Sequence, residues 1–475
     1  MPLFSIPLSG LTASSAAMST ISNNLANLNT VGFKASDTQF ADLFYQNLAT
    51  NGAGDPIQVG SGTEVNQSAI NMNPGSLEST GVPTDVAIIG GGFFVVQQDG
   101  SNYYTRAGDF QVGADGSLQT ANGEQVMGYA AVNGTIPAGA ALSPLQINLG
   151  QINPPQATST VSLTTNLDAG ATVGVGDASL STPVTVYDSL GNAQVLNFNF
   201  TKTAAGAWTC NITIPNSALT PPPAWAASTA YTVGQSISPP SANGHIYQCT
   251  SAGTSGATPP STWPTDGSTV TDGGVTWKDM GTQTTINTTP LTFDSNGNLT
   301  SPTGNVDNIT ATGLADGASA LKFNWNLYNA SNAPLITQVA STSVTSAAVA
   351  DGYGSGSLTS YTIGADGTIT GSFNNGRSAA LGQIALANFA NSQGLSQMGN
   401  NDFSPTLASG SATVGAPGTG GLGSVSGGSL ELSNVDIATE FSALIVAQRD
   451  YEANAHTITT FDQVMQDTVN IQSPA

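Results

Sequence analysis

The stretch LTASSAAMSTISNNLANL, residues 11–28, has a regular spacing of apolar and small side chains. The intervals of 3, 4, 3, 4 and 3 residues are those of a coiled-coil seam. The residues between are Ser, Thr, Ala and Asn, with no charge. The stretch therefore predicts an amphipathic helix with one apolar stripe, whose members are Leu11, Ser14, Met18, Ile21, Leu25 and Leu28.

The same spacing returns at the other end of the chain, from residue 437 to residue 469. Ser433 or Asn434 is a candidate cap for this second helix, and Asp436 and Glu440 suit the dipole of its early turns. Neither helix can bury its stripe alone, so we expect the two helices to pair with each other and with copies of themselves. The predicted assembly residues are Leu11, Met18, Ile21, Leu25, Leu28, Ile437, Phe441, Leu444, Tyr451, Ile458 and Met465.

An ordinary helix pair inside one globule is the alternative, and periodicity alone favours it. The short, very polar N-terminal helix weakens this alternative. So does the distance between the helices, which are separated by about 400 residues of β character.

Hairpin signals recur through that central region. Asp115-Gly116, Asn296-Gly297 and Asp366-Gly367 each lie between short β-rich runs. The first and last have nearly the same pattern although they are about 250 residues apart, so we expect one domain built from both halves of the chain. Further strands are predicted at 86–96, 184–187, 195–200 and 321–327, and a third helix is considered at 38–48.

Charge excludes several classes of partner. The 475 residues contain 7 Lys plus Arg against 29 Asp plus Glu, a formal net charge of −22. The few cations are scattered, so nucleic-acid binding and attraction to an anionic membrane are not expected. No apolar run is long enough to span a membrane, and no basic residue precedes Lys34 to begin a signal peptide. We expect an extracellular protein that is exported without a cleaved peptide.

Residues that carry chemistry are sparse. The two histidines, His245 and His456, have no metal-ligand spacing, and Asp294-Ser-Asn-Gly-Asn lacks the closing Glu of a calcium loop. Cys210 and Cys249 are expected to be small buried residues rather than a framework disulfide. The sequence therefore predicts no catalytic, cofactor-binding or metal-binding residues, and no enzyme.

A segment of unusual composition begins at the prolines 221–223 and runs to about Gly281. It predicts a small inserted β module, with aromatic residues at Trp225, Tyr231, Tyr247, Trp263 and Trp277. These residues are also candidates for contact with a glycan. We expect them to form the core of the module instead, because about 60 residues have little else to bury.

Three motifs carry a family resemblance. NNLANLNTVGFK at 23–34 resembles the N-terminal signature of bacterial flagellar rod, hook and hook-associated proteins, and TEFSALIVAQRDYEANAHTIT at 439–459 is similar to the C-terminal region of the hook members. DVAIIGGGFFVV at 85–96 resembles a second signature of the rod and hook members. The motif residues are Asn27, Asn29, Gly32, Phe33, Gly90, Phe93 and Phe94.

The resemblance implies a fold class: mainly β with α-helical coiled-coil termini. Nested, discontinuous β domains of barrel or sandwich type would lie between the paired terminal helices. The expected domains are 1–35 with 430–475 (coiled coil), 36–74 with 400–429 (connecting segment), 75–148 with 346–399 (inner β domain), 149–220 with 284–345 (outer β domain) and 221–283 (inserted module).

The resemblance also implies a function. Hook subunits polymerise into a curved tube that joins rod to filament as a universal joint and encloses the export channel. The implied partners are copies of the chain itself, rod and hook–filament junction proteins, the hook cap and the flagellar type III export apparatus, with no membrane insertion. Two alternatives remain: a distal-rod-type subunit, and a surface glycan-binding adhesin, since the insert is similar to small carbohydrate-binding modules.

Overall fold

The computed structural model of the chain describes residues 4–50 and 55–472, with side-chain surroundings to residue 469. It divides into two compact units. Unit 1 comprises Met1–Gln151 and Leu358–Ala475, and unit 2 comprises Ile152–Ser357. Both helices belong to unit 1, while all five tryptophans lie in unit 2. Helical circular dichroism and tryptophan fluorescence therefore report the two units separately.

The helices are α1 (Ser5–Ala26) and α2 (Ile437–Gln472). The cap of α2 is Asp436, whose Oδ1 accepts the backbone N–H of Thr439 at 2.7 Å and so lowers the pKa of the carboxyl group. The expected caps, Ser433 and Asn434, were wrong. Asn434 instead accepts the N–H of Ala35 at 2.8 Å, across almost the whole chain.

The expected pairing of the terminal helices is present. The two helices run antiparallel, with Phe4 against Phe461 at one end (ring centroids 6.2 Å apart) and Asn24 bonded to Glu440 at the other (2.9 Å). Of the stripe residues of α1, Ser14 is buried, whereas Leu11, Met18, Ile21 and Leu25 are only half-buried. The buried positions of α1 are Pro7, Ala13, Ser14 and Asn24.

The strands are short and lie almost entirely between the helices. Before unit 2 they are β1 (Ser36–Asp42), β2 (Gln46–Thr50), β3 (Pro56–Val59), β4 (Thr63–Ile70), β5 (Leu77–Ser79), β6 (Val86–Ile89), β7 (Phe93–Gln98), β8 (Ser101–Thr105), β9 (Gln111–Val112), β10 (Leu118–Gln119), β11 (Gln125–Ala130) and β12 (Leu142–Pro144). Unit 2 contains β13 (Ile152–Asn153), β14 (Thr160–Asp168), β15 (Ser179–Tyr187), β16 (Ala193–Ala204), β17 (Ala207–Pro215), β18 (Ala230–Tyr231), β19 (Ser236–Ile237), β20 (Tyr247–Ser251), β21 (Gly253–Thr254), β22 (Thr269–Asp272), β23 (Val275–Asp279), β24 (Gln283–Phe293), β25 (Leu299–Ser301), β26 (Val306–Ala311), β27 (Leu321–Asn326), β28 (Ile336–Val339) and β29 (Val344–Ala350). From residue 356 onward the strands are β30 (Gly356–Ile363), β31 (Thr368–Phe373), β32 (Ser378–Ile384), β33 (Leu386–Asn388), β34 (Ser396–Gly399), β35 (Asp402–Ser404), β36 (Thr413–Gly415), β37 (Ser424–Gly427) and β38 (Ser429–Glu431).

Unit 1 contains strands from both the N-terminal and the C-terminal part of the chain, as the repeated hairpin motif indicated. Its main sheet has the order β30-β31-β32-β11-β7-β8-β35-β34, and the hairpin β9–β10 joins it through β11. The turn glycines Gly116 and Gly367 have φ of +81° and +78°, the left-handed region that the predicted turns require.

Two stretches of unit 1 differ from the expectation. Residues 38–48, considered as a helix, form parts of β1 and β2, and β1 pairs with β4 from Ser36↔Ile70 to Asp42↔Thr63. Within 400–429, expected as part of a connecting segment, β35 pairs with β8 and β37 with β6. These strands therefore lie with the inner β structure. The five-part division as a whole stays a prediction.

Unit 2 has two five-stranded sheets, β15-β16-β17-β24-β25 and β26-β27-β14-β28 with β29 also on β14. They contribute to one buried cluster, in which the ring centroids of Phe198 and Trp325 are 5.3 Å apart. Asp294-Ser-Asn-Gly-Asn is the hairpin turn between β24 and β25, as expected. Cys210 is buried in this cluster and forms no disulfide.

The inserted module leaves and rejoins unit 2 at adjacent positions. Pro215 at the end of β17 pairs with Gln283 at the start of β24. Asn216 closes the base of the module, because its Nδ2 donates to the carbonyl oxygens of Gly244 (3.2 Å) and Gly281 (2.8 Å). The ends of the insert therefore lie side by side.

The aromatic side chains of the insert form its own small core. Tyr247 and Trp277 are buried with Cys249, and Trp225, Tyr231 and Trp263 pack half-buried against them. The Nε1–H groups of Trp225 and Trp277 both donate to buried Asp272, at 2.6 and 3.2 Å. None of the five candidate glycan-contact rings is exposed.

We predict that Trp277→Ala unfolds the insert alone, since truncating a buried Trp costs about 3–5 kcal/mol. Cys249 should then react with a thiol reagent while Cys210 stays protected. The matched variant Trp325→Ala should instead expose Cys210. Simultaneous labelling of both cysteines in Trp277→Ala would show that the insert is not independent.

Candidate functional site

The chain passes from α1 into the β structure and later returns from the β structure to α2. These two passages meet at one buried carboxylate, Glu431. Its Oε1 pairs with the Nζ of Lys34, and its Oε2 pairs with the Nη1 of Arg106 at 3.1 Å. Lys34 follows α1, Glu431 precedes α2 and Arg106 follows β8. The triad therefore holds the entry and exit of the helical part against the main sheet.

The remaining bonds of the triad go to backbone groups. The Nζ of Lys34 donates to the carbonyl of Asn73 at 3.0 Å, and the Nη2 of Arg106 donates to that of Gly90 at 2.8 Å. Burial lowers the pKa of Lys34 and of Arg106, and the charge of Glu431 opposes that shift. Two cations against one anion leave a formal charge of +1 inside the protein, so removing Glu431 would leave two buried charges unpaired.

The motif residues of the N-terminal signature shape this junction. Gly32 has φ +69°, and a Cβ there would lie 2.5 Å from the backbone of Arg106 and Ala107, so only glycine fits. Phe33 is buried with Val435, the residue before the α2 cap. The N-terminal motif thus packs directly against the chain that leads into α2.

Asparagines close the end of the helix pair. Asn24, 1% exposed, receives the N–H of Ser36 at 3.0 Å and donates to its carbonyl and to Glu440, each at 2.9 Å. Asn27 caps the end of α1 by donating to the carbonyl of Asn23 at 2.9 Å. Asn29 is exposed on the following loop.

The second motif lies under the triad. Arg106 is stacked 5.6 Å from the ring centroid of Phe93, and Phe94 packs against Phe110 at 5.0 Å. Gly90, with φ +104°, presents the carbonyl that Arg106 binds. These motif residues support the junction rather than form a reaction site.

The predicted assembly residues lie in two environments. Leu11, Met18, Ile21, Leu25, Leu28, Leu444, Tyr451 and Ile458 are half-buried. Ile437 (47%), Phe441 (52%) and Met465 (41%) are exposed. The helix pair therefore leaves large apolar side chains of α2 in solvent, and their part in assembly stays a prediction.

A cavity of about 690 Å³ lies between α1, α2 and the β1–β4 hairpin. Its lining combines small residues with carboxylates. We call it the helix–hairpin groove; its lining includes Gly10, Ala13, Ala17, Ala443, Asp37 and Asp450. Asp37 and Asp450 are exposed, so the groove opens to solvent.

A second buried acidic group lies beside the loop that follows α1. Asp402 is paired with Glu124, and both are at most 5% exposed. Burial and the neighbouring carboxyl raise the pKa of Asp402 to about 8. Asp109 lines a cavity of about 530 Å³ together with Glu124 and Asp402. Burial raises the pKa of Asp109 as well.

Sequence reasoning missed Glu431, Asn24 and the Glu124–Asp402 pair. Lys34 and Arg106 were visible as lone cations inside motifs of a chain with seven such residues. Across the described ranges, no cluster of three or more His, Cys, Asp or Glu is arranged to hold a metal ion. None of the described helices has the length and apolarity needed to cross a bilayer.

We predict that Glu431→Gln destabilises unit 1 by about 3 kcal/mol or more, because it leaves two buried cations without an anion. The unfolding midpoint measured by helical circular dichroism should move to a lower denaturant concentration. The midpoint measured by tryptophan fluorescence should stay unchanged. Glu64→Gln, on exposed β4, is the control and should change stability by about 0.5 kcal/mol at most. Equal stability of the two variants would contradict the central role of Glu431.

We predict that the stability of unit 1 falls as pH rises from about 5 to 8. Folded Asp402, with a pKa of about 8 against an ordinary 3.8, retains a proton that the unfolded chain has released. Asp402→Asn should remove much of this slope in urea midpoints measured by circular dichroism. Asp99→Asn, an exposed position, should keep the slope. A wild-type slope in Asp402→Asn would contradict the assignment.

Family models match along the chain. They are "Flagella basal body rod protein" at 6–34, "Flagellar hook protein FlgE/F/G D1 domain" at 87–166, "Flagellar basal body protein FlaE D2 domain" at 176–353 and "Flagellar basal body rod FlgEFG protein C-terminal" at 426–471. The matches at 6–34 and 426–471 include most of α1 and most of α2.

Full-length relatives carry one name. The flagellar hook protein FlgE of Salmonella typhimurium is 34% identical over 481 residues, covering 99% of this chain and all of the relative. That of Treponema pallidum is 33% identical and covers 97% of each chain. The crystal structure of Helicobacter pylori flagellar hook protein FlgE2 aligns with a TM-score of 0.38 and 18% identity over 74% of this chain and 98% of that one, and the family assignment rests on the sequence relatives alone. The chain belongs to the flagellar hook protein FlgE family.

Proposed function

We propose that this chain is the structural subunit of a bacterial flagellar hook. Copies assemble through their terminal helices into a curved tube. The observation that carries the proposal is the helix pair itself: α1 and α2 pack together, yet α2 keeps Ile437, Phe441 and Met465 exposed. Such side chains gain free energy only when another surface covers them.

The charge distribution supports a tube that bends as a universal joint. Three of the seven Lys and Arg residues, Lys34, Arg106 and Lys202, are buried. The surface therefore has few cations with which to lock neighbouring copies by ion pairs. Contacts between outer regions would be polar and exchangeable, while the buried triad keeps unit 1 rigid.

Passage of later subunits through the tube agrees with the composition of α1. This helix has no charged residue, and Ser15 and Ser22 on it are exposed, as is Asn29 just beyond it. The free cysteines leave the chain without a disulfide among the described residues, so unfolding for export needs no reductant. Export through the flagellar type III apparatus, without a cleaved signal peptide, and contacts with rod, junction and cap proteins complete the proposal.

The adhesin alternative gains no support from the insert. Its aromatic rings pack against one another in its own core, and two of its indole N–H groups donate to Asp272. A sugar platform needs an exposed ring. A distal-rod subunit is disfavoured because the full-length relatives of this chain in Salmonella typhimurium and Treponema pallidum are named flagellar hook proteins and align with 99% and 97% of it.

We predict that Leu444→Asp or Ile21→Asp abolishes tube formation while both units still fold. A carboxylate buried without a partner at a contact between copies costs about 3 kcal/mol or more. Tubes are scored by electron microscopy, and the folding of unit 1 and unit 2 by helical circular dichroism and tryptophan fluorescence, respectively. The matched control is Ser22→Asp, which adds the same charge at an exposed position of α1. Normal tubes from Leu444→Asp or Ile21→Asp would contradict assembly through the helices.

A further inference from the structure

An exposed ridge runs along α2. Ile437, Phe441, Ile445 and Arg449 are spaced by four residues, and all four are exposed, the three apolar ones by 47–58%. Residues at this spacing form one of the ridges by which helices pack into grooves, and the row is about 18 Å long. We call it the α2 ridge.

Arg449 makes the ridge electrostatically distinctive. It is the one Lys or Arg that either helix contains. Within the described residues it forms no ion pair, although α2 also carries several carboxylates. An arginine at the end of an apolar row is a candidate for pairing with an acid on another surface.

The helix–hairpin groove has complementary properties. Ala17 on α1 and Ala443 on α2 are small, half-buried lining residues that leave room for the close approach of a large side chain, whereas Gly10 and Ala13 are packed within the helix pair. The groove is lined by Asp37, Glu440 and Asp450 and by no Lys or Arg. The groove has a volume of about 690 Å³. This volume can hold several large apolar side chains of a row, with a cation beside the acidic residues.

The ridge and the groove lie on opposite sides of α2. Phe441 and Ile445 are each two residues from the groove-lining Ala443, which places them about 160° from it around the helix axis. One copy can therefore offer its ridge to a second while its own groove receives a third. Such a head-to-tail contact does not close on itself and generates an open helical polymer.

We propose that the α2 ridge of one copy packs into the helix–hairpin groove of a second copy, with Arg449 set against the groove carboxylates. This rests on the proposed hook function and names the contact that propagates it. The occupant is a second copy because the apolar ridge ends in a cation and the groove is lined by carboxylates, so the two surfaces of the chain are complementary in charge.

The charge contact is tested in cells that lack their own hook protein. Arg449→Glu should cut the number of hooks at least about tenfold, and adding Asp37→Arg should restore most of them, because the pair is exchanged across the contact. Arg377→Glu, an exposed position of unit 1 outside both surfaces, is the matched charge control and should assemble normally. Arg449→Glu hooks at wild-type number would overturn the proposal.

Proximity is tested with two variants expressed together, Ile445→Cys and Ala17→Cys, each of which adds one cysteine. The native Cys210 and Cys249 are buried, so they are protected from mild oxidation. Sheared hooks should yield a disulfide-linked dimer, whereas Ile445→Cys with Ser22→Cys should not. A hook population without the first dimer overturns the ridge contact but leaves the hook function standing. A cross-link from Ala17→Cys to another protein assigns the groove to that protein and also overturns the proposal.

Discussion

The buried carboxylate of Glu431 is the interaction on which unit 1 depends. One of its oxygens pairs with Lys34, on the chain that leaves α1, and the other pairs with Arg106, which follows β8 of the main sheet. Because Lys34 and Arg106 are buried, neither can turn to water if the carboxylate moves. The helix pair and the sheet therefore share one electrostatic anchor, and bending within this unit would break charge-assisted bonds. Unit 1 is therefore expected to move as one body.

A chain with so few cations uses them for structure. Lys202 is held by the carbonyls of Ala169 and Ala171 at 2.7 and 2.8 Å in unit 2, as Lys34 and Arg106 are held in unit 1. The acidic groups remain mostly on the surface, which keeps separate copies soluble through mutual repulsion. Assembly must overcome that repulsion with apolar contacts. The exposed apolar side chains of α2 are suited to this because the free energy gained by burying them does not depend on the net charge of the copies.

Features that depend on neighbouring residues could be predicted from the sequence, whereas contacts between distant residues could not. The turns at Gly116, Gly297 and Gly367 depend on two residues each, and all three form with positive φ. Phe40 and Phe44 have helical spacing, but β1 gains a ladder with β4 that no local pattern reveals. Lys34 and Glu431 are 397 residues apart, so their pairing has no signature in the chain. Asn434 resembles a cap locally, but its partner is Ala35.

The base of the insert has a practical consequence. Pro215 and Gln283 are ladder partners, so the chain can leave and return across a gap of about 5 Å without disturbing either strand. Any small domain with adjacent termini meets the same geometric requirement. A helical array repeats each feature of its subunit at every lattice position. This junction is therefore a grafting point at which an enzyme, epitope or fluorophore would be displayed periodically along a filamentous nanomaterial.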